Sequence, residues 1–387
     1  MKKICLAQDT ISSDDLLALS DWLRTNPRLT KGELTEQFEA EFSKYIGTKY
    51  SVFVNSGSSA LLLMFASLIA TGKLSKDSLV AVPNVSWSTD ASSILNNGMG
   101  VVFVDCNMDD LSVDLEKLEK SFIGHGNIDA LLLVSVLGLV PQMDKIKELC
   151  EKYDVLLLED ACESMGSEFA GGKLGSFGFA SVFSTYFGHH ISTIEGGFIC
   201  TNDQTYYNVL KSQRSHGWDR DLDESHRRML REKYDIDEWK ARYTFYYPSF
   251  NLRPTDLQAF IGLGQMEKLN NIHRIRNRNY FLFIENLPDN MWRPKSFGFT
   301  SNFAYPLIDE DRHKIVICLE AAGVETRPLI CGDMQTQPYI MDIHSNNKIA
   351  LNAQIVDKFG FYIPNHANVN EDDVINICNI IRSAKNG

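Results

Sequence analysis

Between Lys173 and Lys211 the chain has no lysine. That stretch contains Phe183-Ser184-Thr185-Tyr186-Phe187-Gly188-His189-His190-Ile191-Ser192-Thr193-Ile194-Glu195-Gly196-Gly197, which follows a strand-like run. It offers no primary amine to condense with a carbonyl. Its imidazoles can move protons but form no stable imine. Long apolar runs are also missing. The opening MKKICLAQDT has two lysines and no hydrophobic stretch behind them, so neither a signal peptide nor a membrane span is expected. With a net charge of −12 the chain lacks the surplus of cations that nucleic-acid phosphates require, although a local basic pocket for an anionic substrate remains compatible. None of the eight cysteines stands in a CxxC pair. Cys5, Cys150, Cys162, Cys200, Cys318 and Cys378 lie in apolar surroundings and read as reduced thiols rather than disulfides or a zinc site. These absences predict a cytoplasmic protein with no metal and no membrane or nucleic-acid partner.

What is present is an alternation of short apolar runs and amphipathic stretches. A chain of 387 residues, 44% hydrophobic and 23% charged, can bury a sizeable core and form two domains. Leu34, Phe38, Phe42 and Ile46 recur on one helical face, and Gly47 ends that helix. Strands are expected at Ser51–Val54, Leu79–Val82, Val101–Val104, Ala130–Val136, Val155–Leu158, Ala180–Phe187 and Gly197–Thr201. A helix is expected across Pro141–Tyr153, with Pro141 near its first turn. Ala130–Val136 and Val155–Leu158 are almost wholly apolar, as strands covered on both faces are. The pattern is α/β, with a mostly parallel sheet that binds ligands beyond its carboxyl ends. Asp219–Tyr247 is charged and aromatic without a clean period and reads as an insertion. The expected organisation is a large domain over residues 1–254, a long connecting helix over 255–289 and a small C-terminal α+β domain over 290–387.

Four features sit where strands of the large domain end. Ser56-Gly57-Ser58-Ser59 at a strand-to-helix turn is either a plain helix cap or a phosphate cradle of glycine backbone and free N–H groups. Glu159-Asp160-Ala161-Cys162-Glu163 puts carboxylates just past a buried strand. They either cap the next segment or supply Asp160 to a protonated ring nitrogen, with Glu163 one short turn on. Trp87, after Val82-Pro83-Asn84-Val85-Ser86, is either core or a flat surface for an aromatic ligand. The lysine-free segment contributes Ser184 as a phosphate ligand and His189 as an acid–base group. A lone histidine is more often structural, and its neighbour His190 points the other way on an extended chain.

In this order and spacing the four features resemble the DegT/DnrJ/EryC1/StrS aminotransferase family, from Leu29-Thr30-Lys31-Gly32 to the C-terminal region. The resemblance implies a fold-type-I transferase that uses pyridoxal 5′-phosphate and pyridoxamine 5′-phosphate. It implies phosphate contacts from Gly57, Ser58 and Ser184, ring stacking on Trp87, and Asp160 at the pyridine nitrogen. Glu163 falls near the ring's phenolic oxygen, where most members have glutamine. His189 stands six residues before Glu195-Gly196-Gly197, the spacing at which the aminotransferases carry their lysine. The cofactor is therefore expected to be held non-covalently.

With Ser86-Trp87-Ser88 and Arg214-Ser215-His216-Gly217-Trp218, that exchange resembles the family's dehydratase branch. Those enzymes remove the C3 hydroxyl of a GDP-linked 4-keto-6-deoxy sugar and recover the amine from L-glutamate. The resemblance further implies a homodimer in which Asn251 reaches the phosphate across the interface. His216, Arg220, Arg253 and Arg327 would line the substrate and donor site. A histidine-bearing relative with an iron–sulfur cluster has its cysteines close together, which these are not. Two rivals stay open. One is a sugar aminotransferase drawing on Lys173 or Lys211. The other is a degenerate member that only binds ligand. Nothing in the sequence separates a mannose from a heptose analogue.

Overall fold

The computed structural model describes residues 3–343 and 350–386. Residues 344–349 of the expected C-terminal domain, and both chain ends beyond these limits, lie outside it. Twelve strands follow in chain order among the described residues: β1 (Tyr50–Val54), β2 (Leu79–Pro83), β3 (Gly100–Val104), β4 (Ile128–Val134), β5 (Leu156–Asp160), β6 (Glu168–Phe169), β7 (Gly172–Lys173), β8 (Ala180–Ser184), β9 (Gly197–Thr201), β10 (Ala304–Ile308), β11 (Arg327–Pro328) and β12 (Gly360–Pro364). Seven form the main sheet in the order β1-β9-β8-β5-β4-β2-β3. The pairs from β8 to β3 are parallel, and β9 runs antiparallel to both β8 and β1. Strand β1 therefore points the same way as β8. The carboxyl ends of β1, β2, β4, β5 and β8 all reach one edge, where such sheets place ligands.

The alternation within each strand builds the layers. Val52 and Val54 face the helix Gly57–Ala70, while Phe53 meets Phe38, Phe42 and Phe198 on the opposite side. That helix is apolar nearly all round and buried, with Leu61, Leu63, Met64, Phe65 and Leu68 in the core. On the other face Phe42 and Phe198 stack at 3.9 Å between ring centroids. The helix Glu33–Ile46 ends as its sequence requires, with Gly47 in the left-handed region at φ 91°.

Three expectations change. The predicted strand Ala180–Phe187 stops at Ser184, and the chain then turns, with the His189 N–H donating to the Tyr186 carbonyl at 2.9 Å. Ala130–Val136 stops at Val134 and gives way to a 3-10 turn over Val136–Gly138. The single connecting helix is two, Asp256–Met266 and Leu269–Asn286. At the junction Lys268 is drawn to the Thr10 carbonyl, 2.9 Å away, and to the Asp15 carboxylate. Periodicity cannot report such an outside tether.

The C-terminal region carries a three-stranded antiparallel sheet, β10-β12-β11, over a core with Tyr280, Phe283, Tyr305 and Phe361. Ile4 belongs to this core. Its N–H donates to the Gly323 carbonyl at 2.9 Å, and its own carbonyl accepts from Glu325 N–H at 3.0 Å. The first described residues therefore pack with the C-terminal region, not with the segment that follows them.

A buried ion pair ties the sheet to its flanking helices. Arg214, fully buried, donates to the Phe53 carbonyl at 2.7 Å and to Glu39 Oε1 at 2.5 Å. Glu39 in turn accepts from the Phe53 N–H at 2.8 Å. Removing one partner would strand the other charge in the core. Glu39→Ala should cost about 3–5 kcal/mol of unfolding free energy. Urea unfolding followed by circular dichroism checks this, and an unmoved midpoint would refute it.

Candidate active site

The common edge of the parallel strands opens into a cavity of about 680 Å³. Its wall contains Gly57 and Ser58 from the turn after β1, Trp87 after β2, Asp160 and Glu163 after β5, and Ser184 and His189 after β8. Arg327 of β11 closes the far side with Glu325 and Tyr362. Eight of the twelve site residues expected from the sequence thus meet in one place. Among the described residues no lysine lines this cavity. Lys173 lies instead over the Tyr45 ring, at 4.9 Å, and Lys211 over the Tyr207 ring, at 5.0 Å.

Local structure decides the alternatives left open by the residues. Ser56 does cap the helix, its hydroxyl accepting from the Ser59 N–H at 3.0 Å. The turn also lies against the end of β8: a Cβ on Gly57 would stand 2.8 Å from Ser184 Cβ. Capping therefore does not exclude a cradle, because the start of a helix leaves its first N–H groups without intrahelical partners. Trp87 is 54% exposed, which removes the core reading. The acidic pair divides its duties by strand alternation. Glu159 turns away and accepts from the N–H groups of Gly175, Phe177 and Gly178 at 2.6–2.8 Å. Asp160, facing the cavity, accepts from the Cys162 N–H at 2.8 Å. The histidines split in the same way. His190 is fully buried with Nε2 at 2.8 Å from the Ser301 carbonyl, whereas His189 is partly open to the cavity.

Burial sets the charge states. It lowers His189 to a pKa of about 4, with the Arg276 guanidinium adding to the effect. His189 is therefore neutral at neutral pH. Its Nδ1 is buried without a partner, and its ring lies 5.2 Å from that of Phe303. Glu163 moves the other way, to about 8, chiefly by burial and further by the nearby Asp160 charge. The Leu137 N–H, donated to Glu163 Oε2 at 2.7 Å, opposes that rise. A neutral Glu163 can donate a hydrogen bond, as the glutamine common at this position does.

Four expected residues do not line the cavity of this chain. His216, Arg220, Asn251 and Arg253 gather around Trp218 instead. The Arg220 guanidinium lies 3.8 Å from the indole centroid, that of Arg253 5.9 Å, and the His216 ring 5.1 Å. Arg253 Nε donates to Asn251 Oδ1 at 3.0 Å. The cause is a backbone bridge between Ser215 and Asn251, which holds both segments together beside the turn after β1. Trp239, Tyr243 and Phe245 of the insertion are exposed next in sequence to this patch. Sequence reasoning missed Asp90, Glu325 and Tyr362. Asp90 stands three residues after Trp87, a helix-start spacing that was open to reading. The other two come from the distant C-terminal region and carried no signal.

The profile of the DegT/DnrJ/EryC1/StrS aminotransferase family matches residues 9–382, and the chain belongs to that family. It is 33% identical to the GDP-4-keto-6-deoxy-D-mannose 3-dehydratase of Yersinia pseudotuberculosis, over 97% of this chain and 98% of that protein. The E. coli GDP-4-keto-6-deoxy-D-mannose-3-dehydratase with bound hydrated PLP superimposes with a TM-score of 0.91 at 31% identity, covering 98% of this chain and 100% of that one. A GDP-4-keto-6-deoxymannose-3-dehydratase with a trapped PLP-glutamate geminal diamine gives a TM-score of 0.90 at 31% identity, over 97% and 99% of the two chains.

The raised pKa of Glu163 makes a signed prediction. In the unfolded chain this group ionises near its ordinary value, while in the fold it keeps its proton to about 8. Between these values the folded state binds more protons, so the group's contribution to stability falls as pH rises. Glu163→Gln removes the loss. Relative to wild type the variant should gain roughly 3 kcal/mol between pH 5 and pH 8, measured by urea unfolding of the cofactor-free chain. A constant difference across that range would refute the shift.

Proposed function

We propose that the chain is a pyridoxamine-phosphate-dependent dehydratase that removes the C3 hydroxyl of a GDP-linked 4-keto-6-deoxy sugar, mannose or a heptose analogue, and is recharged by L-glutamate. The observation that carries this reading is a cavity holding Asp160, Trp87, Ser184 and a neutral His189 with no lysine lining it among the described residues. The named relatives support the sugar nucleotide and the use of glutamate.

The donor set fits the cofactor. Gly57, Ser58 and Ser184 would hold its phosphate at the helix start, Trp87 would lie along its ring, and Asp160 would pair with the pyridine nitrogen. When bound, the cofactor supplies an amine that condenses with a ketone and a ring that draws electrons. His189, neutral and without a partner at Nδ1, would take a proton from the carbon bearing that amine and would return one to the departing C3 hydroxyl, which would leave as water. A neutral Glu163 would donate a hydrogen bond to the ring's phenolic oxygen. Arg327, ion-paired with Glu325 at 2.6 Å, is free to exchange that partner for the carboxylate of glutamate. In balance, the sugar exchanges its C3 hydroxyl for hydrogen, glutamate supplies the two electrons and leaves as 2-oxoglutarate, ammonia is released, and the water expelled at C3 is matched by one consumed in hydrolysis.

Two measurements on one variant test this. His189→Lys should capture the cofactor covalently and lose dehydration. Borohydride reduction followed by peptide mass analysis locates the adduct, and undiminished release of water and ammonia by the variant would remove His189 from the chemistry.

The patch of His216, Arg220, Asn251 and Arg253 would serve the partner's cavity in a homodimer. If so, inactive His189→Ala and Arg253→Ala chains, mixed after dissociation, should recover activity up to about a quarter of wild type, since half the dimers would carry one intact site. No recovery, with heterodimers present by mass, would place the patch outside catalysis.

A further inference from the structure

Asp90 opens the helix Ser88–Asn96 and is completely buried, yet neither the capping of that helix nor the chemistry above uses all of it. Its Oδ2 accepts the Trp87 N–H at 2.8 Å. Its Oδ1 is buried with no donor at all. Beside it, within side-chain hydrogen-bond reach, is the carboxyl group of Asp160. Two carboxylates in such contact in a dry interior cannot both be ionised, so the pair holds one proton. The neighbouring hydrogen bonds say which oxygen keeps it. Asp160 faces the cavity and already accepts the Cys162 N–H. Asp90 has no opening to the cavity and an oxygen with nothing to accept, which a proton converts into a donor.

We propose that Asp90 is held as a neutral acid that donates its proton in a hydrogen bond to the Asp160 carboxylate, and so positions Trp87 and Asp160 as one unit. The inference rests on the reading of Asp160 as partner of the ring nitrogen. One carboxyl group then ties together the two surfaces that meet the ring: Trp87 through its backbone, Asp160 through its side chain. Because Asp90 adds no charge, Asp160 keeps the one negative charge that a protonated pyridine needs opposite it. The other groups acting on Asp90 or acted on by it are Glu163 and Cys162 from the segment after β5, and Cys331 and Tyr339 from the C-terminal region. All four gain negative charge when they titrate and so favour the neutral acid. Burial, then the Asp160 charge, pushes Asp90 well above its ordinary range.

The test uses the full chain in two readouts. First, infrared difference spectra of the cofactor-free wild type minus Asp90→Asn should show the carbonyl stretch of a neutral carboxylic acid, unchanged from pH 6 to pH 9. Second, equilibrium binding of pyridoxal phosphate should weaken about tenfold in Asp90→Ala, which strands Asp160 and the Trp87 N–H. Asp90→Asn should restore it to within about threefold, with the pH profile of wild type, because an amide both donates and accepts as the neutral acid does. The absence of the acid band overturns the proposal. So does an Asp90→Asn chain that binds as weakly as Asp90→Ala, since an ionised Asp90 would then be what the site needs. If Asp90→Ala does not fold, the band decides alone. A band in a wild-type chain that binds no pyridoxal phosphate leaves the carboxyl pair standing and sinks the cofactor reading.

Discussion

The cavity depends on a close approach that only hydrogen side chains permit. A Cβ on Gly197, the first residue of β9, would stand 2.5 Å from the carbonyl carbon of Ser56, and one on Gly57 would strike Ser184. These contacts press the end of β8 and the start of β9 against the first turn of the helix Gly57–Ala70. Ser184 pairs with Gly197 in the sheet, so the same contact sets the point from which the chain turns to His189. The placement of the Ser56–Ser59 turn and that of His189 are thus consequences of one steric constraint. Packing of this kind resists adjustment, because an interior at crystal-like density has no slack to absorb a methyl group.

Around that frame, low dielectric does most of the electrostatic selection. His189 loses its proton, and Glu163 and Asp90 keep theirs, each chiefly because the charged form is poorly solvated. The outcome is a site whose neutral base and neutral acids surround the Asp160 carboxylate. An arginine on β11 faces it from the other side of the cavity. Elsewhere in the fold Glu39 and Arg214 bury an ion pair in which each side chain is also hydrogen-bonded to the Phe53 backbone.

The strands of the main sheet were legible because their residues are buried on both faces, and short runs that are apolar almost throughout suit few elements besides a covered strand. Their ends were less so. Phe187 looks like strand by composition, yet ladder pairing stops at Ser184, where Gly197 stops offering a partner. The connecting helix misled for a similar reason: the pattern from Thr255 to Leu287 is helical throughout, while the break near Lys268 answers to Thr10 and Asp15, which lie at the opposite end of the chain. The residues around Trp218 were expected from the family resemblance alone, and the fold of one chain sends them to a surface of their own.

By itself the sequence determined the layered α/β plan, the four strand-end motifs and the exchange of an amine for an imidazole at position 189. These are properties of local pattern and residue type, and local pattern survives without knowledge of contacts. Tertiary structure alone decided that Glu159 pins a loop while Asp160 enters the cavity, that Trp87 stays exposed, and that Ile4 joins the C-terminal core. It also decided that a capping aspartate three residues beyond Trp87 would meet the carboxylate of Asp160. Those outcomes depend on which surfaces close on one another and exclude water, and burial is a property of the assembled fold rather than of any segment of it.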